Sequence, residues 1–321
     1  MARFARSVIA CSAAAFAAGC ARPQHAASPP PAELASRAPL AELADSSFWR
    51  ALHAGHYDSI PRVLTLLKAA YLQNPSDPRI AAHIGFTHAW RLAERARLAQ
   101  ASPGLIDEAT LARTYFERAR RIAPGYDARI HGFAAAFRMS EGAIHRDTAI
   151  SSAALQDGRR AIEGWPEFNL FTIGYTLSTR PHDSPLFMEA IEMQWSAMEL
   201  CSRRTIDRRR LEPHATLSAQ ATERDERKLR ACWNSWIAPH NTEGFFLNFG
   251  DMLVKGGDWR TAQQVYALAK GMASHASWPY RDTLEKRIEQ AASNVERFRS
   301  ENDRSLMIRS AFACAACHQA R

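Results

Sequence analysis

Little in this chain favours strands. Glycine supplies only 15 of 321 residues, and no alternating apolar runs are paired across a tight turn, so β-hairpins are not expected. Beyond the N-terminus no apolar run reaches the roughly 18 residues that a membrane span requires. No Gly-rich phosphate loop, no Gly-x-Ser-x-Gly and no His-Glu-x-x-His occurs. With no catalytic constellation to name, the chain is read as a carrier or binding protein rather than an enzyme. Acids are the minority charge, 33 against 41 basic residues. Part of that surplus is the cluster Arg203-Arg204 and Arg208-Arg209-Arg210, a solvated stretch or a docking patch for acidic surfaces.

What is present is concentrated at the two ends. Arg3 and Arg6 charge the first residues, and an uncharged stretch of small and apolar residues follows to Ala18. That is the build of a cleaved signal peptide. It closes with Phe16-Ala17-Ala18-Gly19-Cys20, which resembles the lipobox of bacterial lipoproteins, with Ala17 where leucine is usual. The resemblance implies that residues 1–20 are a lipoprotein signal and that Cys20 is acylated and anchors the chain to a membrane. Ala21, in place of a retention aspartate, implies the outer membrane, facing the periplasm. Residues 21–44 hold Pro23, Pro29, Pro30, Pro31 and Pro39 among alanines and serines and read as a flexible tether. An exported chain is not expected to meet nucleic acid.

The other end reads Cys314-Ala-Ala-Cys317-His318. Cys-x-x-Cys-His is the attachment signature of c-type haem. Two thiols within one helical turn can each take one haem vinyl, and the next residue sets an imidazole against the iron. One haem c is therefore expected, held by Cys314 and Cys317, with His318 as proximal ligand. A Cys314–Cys317 disulfide and half of a zinc site are the alternatives. Only three residues follow His318, so a second axial ligand must come from elsewhere, and the nearby candidates are Met252, Met272, His275 and Met307. Six cysteines occur in all. With Cys11 in the signal and the others assigned, Cys201 and Cys232 remain as an even pair and are expected to bond to each other; two free thiols are the alternative.

Between the ends the apolar periodicity is helical and the expected class is all-α. Ala112-x3-Phe116-x2-Ala119-x4-Pro124 sets small residues where helices cross and an aromatic between them; Ala262-x3-Tyr266-x2-Ala269 repeats it, after Phe246-x2-Phe249-Gly250-x2-Leu253. Val63-x3-Leu67-x2-Ala70 and Ile84-Gly85 follow the same plan more loosely. These patterns resemble the tetratricopeptide repeat. The resemblance implies an α-α superhelix of antiparallel helix pairs over residues 45–279, a capping helix over 280–300, a haem-attachment segment over 301–321, and a concave surface for a protein partner lined by Asn248, Asp251 and Lys255. The resulting expectation is a membrane-anchored electron-transfer protein. Its alternatives are a haem-free assembly lipoprotein carrying a Cys314–Cys317 disulfide and, third, a haem enzyme or sensor that uses an open iron position.

Overall fold

A computed structural model describes residues 36–100, 102–123, 127–211, 232 and 241–318, the side chains of 127–129 excepted. The signal peptide and Cys20 lie outside the described residues, as does most of the tether. Among the described residues there are twelve α-helices and no strand: α1 Pro39–His53, α2 Ile60–Gln73, α3 Pro78–Ala93, α4 Asp107–Ile122, α5 Asp127–Ile144, α6 Thr148–Gly164, α7 Pro166–Leu177, α8 Pro185–Ser202, α9 Thr242–Gly256, α10 Trp259–Lys270, α11 Arg281–Glu289 and α12 Asn294–Arg299. Helices adjacent in sequence pack as pairs, and α5 also meets α7, the first helix of the next pair.

Local chemistry sets the helix ends. Asp77, Asp147, Ser184, Asn241 and Asp258 each accept a hydrogen bond from a first-turn backbone N–H, the usual N-cap arrangement. Proline occupies the first turn of α1, α2, α3, α7 and α8, where its missing N–H costs nothing. α9 stops at Gly257, whose φ of 99° is left-handed. Small residues then bring paired helices close. A Cβ on Gly85 would stand 3.0 Å from the Phe116 ring, and one on Gly250 would run into the ring of Tyr266. Phe116 and Tyr266 are fully buried at those crossings.

Three expected boundaries shift. A helix already runs from Pro39, inside the stretch read as tether, because Ala41, Ala44 and Phe48 form a buried stripe on α1. The single capping helix is two short helices, α11 and α12, separated by turns at residues 290–293. The last segment is no continuous helix: a 3-10 turn at Met307–Arg309 is followed by turns over residues 311–317.

The apolar interior forms two main clusters. One is built from α1 to α5, and the other from α5 to α12 together with the C-terminal segment. Cys317 belongs to the second cluster, whereas Cys314 packs against the first. The Cys-x-x-Cys-His turn is thus wedged between the two halves of the stack. Cys201 and Cys232 are joined by a disulfide, with their Cα atoms 5.5 Å apart.

Candidate functional site

The C-terminal segment folds back into the helical stack and is held there by polar contacts from several elements. Glu94, fully buried just after α3, is the main anchor on the N-terminal side. Its Oε1 accepts from the backbone N–H groups of Cys314 (2.9 Å) and Ala315 (2.7 Å). Its Oε2 accepts from Trp90 Nε1 (2.9 Å) and pairs with Arg97 Nε (2.8 Å). The carboxylate therefore caps the N–H groups that the turn leaves unused, as an acid caps a helix start. Arg97 also donates to Ala311 O (2.6 Å), and Tyr175 on α7 donates to Ala313 O (3.3 Å).

On the C-terminal side the carbonyls are taken up. Trp278 Nε1 and Asn241 Nδ2 both donate to Ala316 O, at 2.9 and 3.1 Å. The Asn241 backbone N–H donates to Cys317 O (2.7 Å) while its Oδ1 caps α9 at Gly244 (2.7 Å). Gly244 leaves room for this docking, since a Cβ there would stand 2.6 Å from Cys317 Sγ and 2.7 Å from Ala316 O. Within the turn, the N–H groups of Cys317 and His318 both donate to Cys314 O (3.0 Å). That single turn brings both sulfurs and the imidazole to one wall.

The wall belongs to a cavity of about 890 Å³. α3 contributes Phe86 and Trp90, α5 contributes Phe133, Phe137 and Met139, α7 contributes Phe168, Phe171 and Tyr175, and the turn contributes Cys314, Cys317 and His318. Burial pushes the Cys314 thiol well above its ordinary value, with Glu94 and Cys317 adding to the effect. The Cys317 thiol is pushed up to about 12, by burial first and then by Glu243 and Glu94. Tyr175 is raised well above its usual value by the same burial. Both cysteines are thus neutral thiols around neutral pH, and they are not bonded to each other. No protein-family model, curated protein or solved structure matches this chain.

The fit to haem rests on this donor set and its surroundings. A pocket of roughly 300–1,000 Å³ with aromatic walls suits a bound cofactor. Two thiols and an imidazole on one turn are the groups a covalent haem needs, and all three line the cavity. Zinc fits less well: among the described residues no three His, Cys, Asp or Glu side chains gather as a metal site. The disulfide alternative for Cys314 and Cys317 is not what the structure forms.

The expected second ligands are elsewhere. Met252, Met272, His275 and Met307 do not line the cavity. Met252 Sδ accepts from Asn248 Nδ2 (3.5 Å), Met307 is fully buried beside Asp251, and His275 lies in a 3-10 turn against Trp278. Proximity in sequence misled here, because the cavity is roofed by α5, far upstream. The methionine that does line it is Met139. Nor do the residues expected on a concave docking surface remain open. Asn248, Asp251 and Lys255 are each 1% exposed. Asp251 accepts from Tyr266, Arg287 and the Met307 N–H, and Lys255 donates to Ser178 O and Arg180 O. The C-terminal segment reaches that face at Asp251, and the turn after α7 closes it at Lys255.

Sequence reasoning also missed Glu94 and Gly244. Nothing near Glu94 marks this role, since the backbone N–H groups it caps lie about 220 residues away. Gly244 carried a weak signal: a glycine inside the first turn of a helix has a packing reason more often than a conformational one.

Proposed function

We propose that this protein carries one haem, bound through Cys314 and Cys317 with His318 as an axial ligand, and passes single electrons to or from a protein partner. The observation that carries the reading is that all three residues of the attachment signature line one aromatic-walled cavity. A haem held there supplies one-electron exchange at low solvent exposure. The residues around it do the rest. Glu94, Asn241 and Trp278 hold the turn, and the phenylalanines of α3, α5 and α7 exclude water. Met139, the methionine on the cavity wall, would be the thioether available as a further iron ligand. In this reading the helix pairs are of the tetratricopeptide kind. Cys20 bears the lipid that keeps the body at the outer membrane, in the periplasm. Because Asn248, Asp251 and Lys255 are enclosed, the partner is assigned to the open edge of the cavity, where the cofactor would be nearest to solvent.

The test is a reduced-minus-oxidised visible spectrum of protein exported from a bacterium with an active cytochrome c maturation system. The same sample is stained for haem after a denaturing gel. A c-type α-band and covalent stain are expected, both lost in Cys314→Ala/Cys317→Ala. Absence of covalent haem, under conditions that mature a control cytochrome, would sink the reading.

A further inference from the structure

The open edge of the cavity has a charge pattern that the thiols and imidazole do not explain. Two arginines line it, Arg95 and Arg180, against a single acid, Glu301. Neither arginine has a carboxylate of the described residues within ion-pair distance. Arg95 spends one side-chain hydrogen bond on Leu92 O (3.0 Å). More positive charge stands behind them. Burial, and then Arg304 and Arg309, lower the Arg95 pKa. Burial and then Arg309 bring Lys255 down to about 8, with Glu301 opposing. The other nearby acid, Asp303, is already engaged by Arg297 and Ser305. A cluster of like charges beside an apolar cavity is unfavourable by itself. It is relieved by a ligand with an apolar body and carboxylates on one edge, and guanidinium forks suit carboxylates well.

A protoporphyrin has that shape, with vinyl groups on one side of the ring and two propionates on the other. Of the thiols that would take the vinyls, Cys317 is buried and Cys314 half-buried, whereas of the arginines Arg95 is exposed and Arg180 half-buried. We propose that Arg95 and Arg180 form a carboxylate subsite that receives the two propionates and so sets which way round the ring enters. This rests on the haem reading above, and it assigns to two arginines a positioning role that the attachment signature does not contain.

The experiment uses the full-length chain from cells lacking cytochrome c maturation, with metal-free protoporphyrin IX as the probe, because it needs neither iron ligation nor thioethers. Binding is read by quenching of tryptophan fluorescence, Trp90 being on the cavity wall. The diacid is expected to bind about tenfold or more tightly than its dimethyl ester. Arg95→Gln/Arg180→Gln should remove that preference by weakening the diacid alone, while Arg159→Gln/Arg160→Gln, on α6 and outside the cavity lining, should leave it intact. Circular dichroism and thermal melting check that each variant folds. Equal binding of acid and ester, or equal weakening of both by the Arg95/Arg180 variant, overturns the subsite. So does displacement of the porphyrin by an equimolar long-chain fatty acid, which would give the subsite to a lipid carboxylate. If haem becomes covalently attached in vivo yet acid and ester bind alike, the subsite falls and the haem reading stands. If no porphyrin binds and no haem is attached, both fall.

Discussion

At the scale of single residues, Met139 and the two thiols carry the sharpest expectations. Met139 lies on α5 at 2% exposure and lines the cavity. If it is the second ligand, Met139→Ala leaves covalent haem in place but opens a coordination position. Reduced holoprotein of that variant should bind carbon monoxide readily, whereas wild type and Met307→Ala should not; carbon monoxide binding by wild type would remove Met139 from the role. The thiols predict a pH effect. Cys317 is raised from 9.0 to about 12, so the folded state favours its neutral form. The stability it contributes is complete below the unfolded value and is lost as pH rises towards the folded one. Haem-free protein should therefore lose about 2 kcal/mol in urea denaturation between roughly pH 9 and 10.5 through Cys317, and Cys314 acts in the same direction. The Cys314→Ala/Cys317→Ala protein should not show that loss. Neither should holoprotein, whose thioethers do not titrate.

The elements show where the chain could be read and where it could not. Helix pairs were legible because the apolar stripe of α10 (Ala262, Val265, Tyr266, Ala269) and the glycines at crossings are local in sequence. The C-terminal segment spaces its two thiols as one helical turn would, yet it is not a continuous helix. It is instead a string of turns, because Glu94, Tyr175, Asn241 and Trp278 offer its backbone groups better-placed partners than a continuous helix would. Gly244 tests that docking. A Cβ at Gly244 would meet Cys317 Sγ at 2.6 Å, and neither α9 nor the turn can yield without giving up Asn241's bonds. Gly244→Ala is expected to cost roughly 1–3 kcal/mol and to reduce the fraction of chains that retain haem. A melting temperature equal to wild type would show that the turn is not seated there.

Across the whole molecule, the attachment turn couples two apolar clusters that otherwise meet mainly through α5. Glu94 ties it to the N-terminal half, and Asn241 with Trp278 ties it to the C-terminal half. Glu94→Ala would strand two backbone donors and the Trp90 indole in a buried place and take one partner from Arg97. The expected loss is about 3 kcal/mol in urea denaturation, with the two halves no longer unfolding in one transition. Glu94→Gln should recover only part, since an amide presents one acceptor and sets its NH₂ against the other donors. A loss below about 1 kcal/mol with a single transition retained would refute the coupling.

The amino-acid order alone determined the helical class, the pairing of neighbouring helices and the attachment signature, because each depends on residues a turn or two apart. Only the tertiary structure decided which residues face that signature. Glu94 touches the turn and Met139 lines the same cavity, both from the first half of the chain, and no local pattern records a contact whose partners meet only when the C-terminus folds back into the stack. Tertiary packing also buried Asn248, Asp251 and Lys255: Asp251 is taken up by Tyr266 and Arg287, Lys255 by the carbonyls of Ser178 and Arg180, and Asn248 donates to Met252 Sδ.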